Sequence, residues 1–127
     1  MSHFSTIQTK IVVKEHLKKA LDDLKFNWEE GDLEVRGYQG NRTKAEIRIE
    51  TGNQGYDIGF RKQGTNYEVV ADWWGIKNIK QEEFVQNVTQ RYAYNSVKDQ
   101  LEQDGFTFVA DEVLENNTIH LSVRRMT

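Results

Sequence analysis

The sequence has 127 residues, a formal net charge of -3 and no cysteine. Its length suits one domain over residues 1–127, which would bury roughly two thirds of its unfolded surface. The absence of cysteine excludes disulfides, thiolate metal sites and cysteine nucleophiles.

The acidic balance provides no long-range attraction for nucleic acid, so nucleic acid is not an expected partner. Local basic residues such as Lys77, Lys80 and Arg91 are diluted by neighbouring carboxylates. The N-terminal segment has no basic leader and no apolar stretch of signal-peptide length, and no stretch approaches a membrane span. We therefore expect a soluble protein without membrane insertion.

The first third of the chain predicts a strand, a helix and a hairpin. Residues 5–12 alternate between apolar and polar side chains, the period of a half-buried strand. Apolar residues then recur at helical spacing within residues 14–25. Residues 26–37 predict a hairpin, because Glu30-Gly31-Asp32 has turn chemistry between two extended pieces.

The middle of the chain predicts a second hairpin and a further strand. Residues 44–50 and 56–62 alternate on either side of a glycine-bounded turn, Gly52 to Gly55. The run Tyr67 to Trp74 also has the pattern of a strand.

A long helix and a last hairpin follow. Asn78 and Gln81 have the spacing of a helix N-cap and its reciprocal partner, and the helix is expected to run to about Asp104. Gly105 suits the left-handed residue after its end. Residues 106–110 and 119–123 then alternate as strands.

The long helix carries two apolar stripes. Its first half places Phe84, Val88 and Tyr92 on one side, whereas Tyr94 and Val97 lie nearly opposite. The helix could break between them, the C-terminal hairpin could wrap its second half, or that half could join two protomers in a homo-oligomer.

Together these elements predict an α+β fold, in which two helices cover a mostly antiparallel sheet. The element order, βαββ-ββ-βαββ, suggests an internal duplication of the pattern.

Several segments resemble one known family along the whole chain, in the same order. They are Met1-Ser2-His3-Phe4-Ser5, Val35-Arg36-Gly37-Tyr38-Gln39-Gly40, Tyr56-Asp57-Ile58-Gly59-Phe60, Val70-Ala71-Asp72-Trp73-Trp74-Gly75 and Gln90-Arg91-Tyr92-Ala93-Tyr94. The chain resembles the hypothetical chloroplast reading frame thirty-five family of cyanobacteria and algal plastids. The resemblance implies a place in the cyanobacterial cytoplasm or plastid stroma, and it implies no activity and no catalytic residues. One departure is Val12-Val13, where a polar residue would be expected to cap the first helix.

The adjacent pair Trp73-Trp74 is the most unusual local feature of the sequence. Adjacent strand residues point to opposite faces, so only one tryptophan can join the face of Tyr67 and Val69. If the other face is open, Trp74 beside Asp72 would mark a recognition surface. If a helix covers that face, Trp74 belongs to the core.

Arginines next to aromatic residues supply further candidates. The loop with Arg36, Tyr38 and Arg42 could hold a carboxylate or phosphate, although the same residues suit an ordinary hairpin connection. Arg91 could pair with Asp72, Glu82 or a partner. The preferred hypothesis is a non-catalytic binding or assembly module for a protein or small anionic ligand. Its proposed binding residues are Arg36, Tyr38, Arg42, Asp72, Trp74 and Arg91.

The alternative hypothesis is a small enzyme that acts on an anionic metabolite. It would use Arg36, Asp72 and His120, the last of which shares a strand face with Ser122. Spacing assigns no carboxylate to orient His120, and no two histidines have metal-ligand spacing on one helix. We expect neither a metal nor a cofactor.

Overall fold

The computed structural model describes residues 3–113 and 119–125. These residues form one five-stranded antiparallel sheet with the strand order β1-β5-β4-β3-β2, a separate β6–β7 hairpin and two α-helices. The predicted α+β class is therefore confirmed. The elements are β1 (Ser5–Gln8), α1 (Lys14–Asp23), β2 (Trp28–Arg36), β3 (Arg42–Glu50), β4 (Asp57–Gln63), β5 (Asn66–Ala71), α2 (Gln81–Gln103), β6 (Phe106–Val113) and β7 (Ile119–Arg125).

The hairpin predicted within residues 26–37 is wrong, because the segment forms the single strand β2. The register against β3 shifts between Glu30 and Leu33, where Gly31 has a φ of 149°. A bulge thus absorbs the turn-forming residues and bends the strand without reversing it. The described element order is βαβ-ββ-βαββ, one strand short of the predicted duplication.

The main core lies between one face of the sheet and the two helices. The alternating residues of β3, β4 and β5 meet the apolar stripes of α1 and α2 there. The fully buried side chains of this layer include Leu17, Leu21, Ile47, Ile49, Ile58, Phe60, Tyr67, Val69 and Val88.

A second, smaller core lies on the opposite face of the sheet. The distal part of β2 and the start of β3 fold over this face, so that Val35 and Ala45 pack on Val70, with Phe4 beside them. Gly59 permits the close approach, since a Cβ there would lie 2.3 Å from a methyl carbon of Val35. The connection after β2 is thereby brought to the end of β5.

Helix α1 is capped from the other helix. Val13 stands at its N-cap with no side-chain hydrogen bond. The Tyr92 hydroxyl of α2 instead accepts hydrogen bonds from the backbone N–H groups of Val12 and Val13, each at 3.0 Å. The Tyr92 hydroxyl thus provides a hydrogen-bond acceptor at the start of the helix, where the valine side chains have none.

Helix α2 is continuous to Gln103 and does not break between its two stripes. Tyr94 is buried, and the helix contacts β6. Gly105 has a φ of 90°, which confirms the predicted left-handed residue after the helix. The predicted cap is wrong, because Lys80 is the N-cap residue. The Asn78 amide instead donates to the carbonyl oxygen of Thr51 at 2.9 Å.

Among residues 3–113 and 119–125, no helix is long and apolar enough to cross a membrane.

Candidate functional site

A single 3-10 turn contains both tryptophans and directs their rings differently. Strand β5 ends at Ala71, and Trp73–Gly75 forms the turn, so the strand predicted to continue through Trp74 is wrong. The turn directs the ring of Trp73 toward the core, with its centroid 5.9 Å from that of Phe84. It leaves Trp74 57% exposed. Trp74 is therefore a surface residue.

Three neighbouring side chains hold the Trp74 ring in place. The Tyr38 ring meets it edge-on at a centroid distance of 5.4 Å, and the Tyr56 ring lies 6.4 Å away. The ammonium group of Lys77 lies 4.9 Å from the ring centroid and donates to the Trp74 carbonyl oxygen at 2.7 Å. The Tyr56 ring also covers Gly75, where a Cβ would lie 2.0 Å from a ring carbon. Aromatic and cation–π contacts of this kind orient the exposed ring.

Asp72 anchors the loop that carries Tyr38. One carboxylate oxygen of this buried residue accepts the Tyr38 backbone N–H at 3.0 Å. The other oxygen, like the indole N–H of Trp73, is buried without a hydrogen-bond partner among the described residues. Burial, reinforced by the charge of Asp72, raises the pKa of Tyr56. Asp72 is thus buried next to the half-buried residues Tyr38 and Tyr56.

Arg36 and Asp57 form the main ion pair of this region. Asp57, 1% exposed, accepts two hydrogen bonds from the Arg36 guanidinium, at 2.9 and 3.1 Å, and one from its backbone N–H at 2.9 Å. These hydrogen bonds and the carboxylate charge raise the pKa of Arg36. The Arg36 side chain remains 43% exposed. Arg36 is therefore held in place at the surface, and its charge is already paired with Asp57.

A polar cavity of about 240 Å³ lies beside this ion pair. It is lined by Arg36, Glu50, Thr51, Gly52, Asn53, Gln54, Tyr56 and Asp57. Two carboxylates face it together with the one guanidinium, so its charge does not favour an anion.

Comparison with known proteins places the chain in a family. Residues 20–122 match the family described as "Protein of unknown function (DUF1257)". The chain belongs to this family. It is 40% identical over 131 residues to "Uncharacterized protein ycf35" of Guillardia theta. It is 35% identical over 127 residues to the protein of the same name from Cyanophora paradoxa, and 32% identical over 131 residues to that from Pyropia yezoensis.

Each of these three comparisons covers 98% of both chains. They confirm the resemblance to the reading-frame-thirty-five family. No solved structure matches the chain.

Three of the six proposed binding residues are linked by contacts through Tyr38, namely Tyr38, Asp72 and Trp74, and a fourth, Arg36, lines the adjacent cavity together with Tyr56. We call the exposed part of their cluster the Trp74 patch, and it comprises Arg36, Tyr38, Tyr56, Trp74 and Lys77. Sequence reasoning missed Tyr56 and Lys77 as members. Tyr56 lies within one of the segments that carry the family resemblance, a signal that could have identified it.

The other two proposed residues make different contacts. Arg42 is the cross-strand partner of Arg36, but its side chain forms an exposed ion pair with Glu34 at 3.6 Å. Arg91 donates to Asp23 at 2.9 Å, and its guanidinium lies 4.1 Å from the Tyr94 ring centroid. The expected pairing of Arg91 with Asp72 or Glu82 is therefore wrong. Its partner belongs to α1.

The enzyme hypothesis gains no assembled site from these contacts. His120 lies in β7, but its side chain is outside the described residues. Within the described part of the chain, no group of three or more His, Cys, Asp or Glu residues could hold a metal ion.

Proposed function

We propose that the chain is a non-catalytic binding module that recognises another protein through the Trp74 patch, in the cyanobacterial cytoplasm or plastid stroma. The observation that carries the proposal is the 57% exposure of Trp74, although Tyr38, Tyr56 and Lys77 hold its ring from the sides. A large aromatic side chain that is both exposed and fixed has the character of an interface anchor.

The composition of the patch favours a protein partner. Tryptophan, tyrosine and arginine are the residues most enriched among the energetically dominant contacts of protein interfaces. Because ring contacts and the Arg36–Asp57 ion pair already restrict these side chains, binding would cost little of their conformational entropy. The patch is preorganised in this sense.

A small anionic ligand has weaker support. Arg36 already binds the Asp57 carboxylate through two guanidinium nitrogens, and Glu50 lines the adjacent cavity. An anion would have to compete with both carboxylates. If inorganic phosphate stabilised the chain against heat and Arg36→Ala removed that effect, the anionic-ligand version would replace the protein version.

The proposal is tested by crosslinking from the patch. A photoreactive amino acid at Gln39, which is exposed in the loop beside Tyr38, should capture a partner in cells that encode the protein. The captured partner is then purified and its affinity measured. Trp74→Ala should weaken binding by at least tenfold, in line with the effect of truncating an interface anchor.

Val12→Ala is the matched control, since Val12 is also an exposed apolar residue and lies outside the patch. Thermal unfolding verifies that both variants are folded. Unchanged affinity in a folded Trp74→Ala protein would overturn the proposal.

The C-terminal half of α2 also remains a predicted contact between protomers. Val97 is 48% exposed there. Light scattering should show a larger species for the unmodified chain, and Val97→Glu should return it to the monomer mass. A monomer at every concentration would exclude this oligomer.

A further inference from the structure

The two edges of the five-stranded sheet differ in how they are protected. The β2 edge carries the β-bulge and four carboxylates, from Glu29, Glu30, Asp32 and Glu34. Charges and bulges of this kind prevent other strands from pairing with an edge. Strand β1, by contrast, reads Ser-Thr-Ile-Gln, with no charge, proline or register shift, and only Ile7 is partly buried.

The main chain of β1 is available for pairing. The Thr9 N–H donates to the Tyr67 carbonyl oxygen at 3.2 Å, and Ile7 and Ser5 continue this phase opposite Val69 and Ala71. In an antiparallel ladder the residues between them direct their N–H and C=O groups the other way. The main-chain groups of Thr6 and Gln8 therefore point to the open edge.

An apolar groove of about 550 Å³ lies directly beside this edge. Ile7 forms one side, and one flank of α2 forms the other, through Gln81, Glu82, Val85, Gln86, Thr89 and Gln90. These helix positions recur every four residues, so they form a continuous stripe. Phe84 and Val88 of the same helix fill the core. The neighbouring flank of α2 faces the groove.

The charge of the groove indicates the chemistry of its occupant. Glu82 is the charged residue of its lining, and it forms no ion pair with any residue in the described part of the chain. The amides of Gln81, Gln86 and Gln90 can donate and accept hydrogen bonds. A second copy of β1 would bring a single apolar residue and no basic residue, so it matches this lining poorly.

We propose that an extended segment of another protein adds to β1 as a sixth strand. Its main chain pairs with Thr6 and Gln8, alternate apolar side chains enter the groove against Ile7 and Val85, and a lysine or arginine pairs with Glu82. Strand addition of this type draws affinity from main-chain hydrogen bonds and selectivity from the groove. This surface is separate from the Trp74 patch and does not depend on it.

Selection from a random decapeptide display library tests the proposal. The enriched peptides should alternate apolar residues and carry a lysine or arginine, and the synthetic peptides should slow amide hydrogen exchange at Thr6 and Gln8. Thr6→Pro removes an edge N–H that the sheet does not use, so it should weaken binding of these peptides at least tenfold. Thr6→Ala should change it less than twofold.

A matched charge reversal tests the groove independently of the backbone. Glu82→Lys should shift the enriched peptides from basic to acidic residues, whereas Glu83→Lys, on the adjacent residue outside the groove lining, should not. If Thr6→Pro fails to fold, the comparison of Glu82→Lys with Glu83→Lys tests the proposal instead. Three results would overturn the proposal: no enrichment, equal binding to all variants, or concentration-dependent dimerisation that Thr6→Pro abolishes. The last would identify a second copy as the occupant.

Discussion

The Trp74 patch and the contact between the two helices both combine arginine with aromatic rings, but they use them differently. Between the helices, Arg91 binds Asp23 and covers Tyr94, which is buried. In the patch, Arg36 binds Asp57 while Trp74 remains exposed. Arginine near an aromatic residue therefore marks intramolecular structure as readily as recognition. Exposure of the ring distinguishes the two.

The two regions also differ in how deeply their carboxylates lie. Asp57 is almost fully buried, whereas about a quarter of the Asp23 side chain is exposed. An unpaired charge costs more where water cannot reach it. The same type of ion pair should therefore contribute unequally to stability, and the following substitutions measure this difference.

The largest expected effect is that of Arg36→Ala. The substitution leaves the Asp57 carboxylate buried without its guanidinium partner, which should lower the free energy of unfolding by about 3 kcal/mol. Urea unfolding provides the measurement. Arg42→Ala is the control, because its exposed ion pair with Glu34 should contribute less than about 0.5 kcal/mol. If Arg36→Ala and Arg42→Ala lowered the free energy of unfolding equally, the buried Asp57 carboxylate would not depend on Arg36 as described.

Trp74→Ala should have a smaller effect on stability. The ring loses only its contacts with Tyr38, Tyr56 and Lys77, and contacts of this type suggest about 1.5 kcal/mol. Thermal and urea unfolding should agree on this value. A loss as large as that of Arg36→Ala would mean that Trp74 serves the core, which would weaken the proposed role of the patch.

Tyr92→Phe tests the region between the helices. It removes the hydroxyl that accepts the backbone N–H groups of Val12 and Val13, while the ring remains. Because both N–H groups can reach water, the expected loss is about 1 kcal/mol, comparable to loss of a helix cap. Hydrogen exchange should become faster at the start of α1. If exchange there is unchanged, the capping role is wrong.

Much of the fold was predictable from periodicity, and the errors have a common cause. Alternation identified the faces of β3, β4 and β5, and helical spacing identified both helices. The residues Glu30-Gly31-Asp32, however, form a bulge because β3 continues beside them, and Trp73 leaves the strand to reach Phe84. Both outcomes depend on tertiary neighbours, which local pattern does not contain.

The candidate site was predictable in part. Arg36, Tyr38, Asp72 and Trp74 lie in one region of the surface, although nothing local indicated that Asp57 would bind the Arg36 guanidinium. Arg91 was grouped with them because of its type and its aromatic neighbours, and only the packing of α2 on α1 directs it to Asp23. The β1 groove was missed, because an open edge is a property of strand order.

The smallest expected effect is a change in acid sensitivity at Asp23. Burial acts to raise its pKa, but hydrogen bonds from Arg91 and Asn95 outweigh it and hold the pKa below the usual 3.8. A carboxyl whose pKa is lowered by folding stabilises the protein above its unfolded value and loses that contribution as the pH falls through the folded value. The advantage over Asp23→Asn should thus be about 0.5 kcal/mol at neutral pH, begin to fall near pH 3.8, and vanish only once the pH is below the folded pKa of Asp23. Urea unfolding across this range measures it, with Asp32→Asn, whose side chain is 90% exposed, as a control for which the difference should stay near zero. If the unmodified chain kept its advantage over Asp23→Asn at acidic pH, the Asp23 side chain would contribute through packing and not through its charge. The difference between the Asp23 and Asp57 regions would then be one of packing.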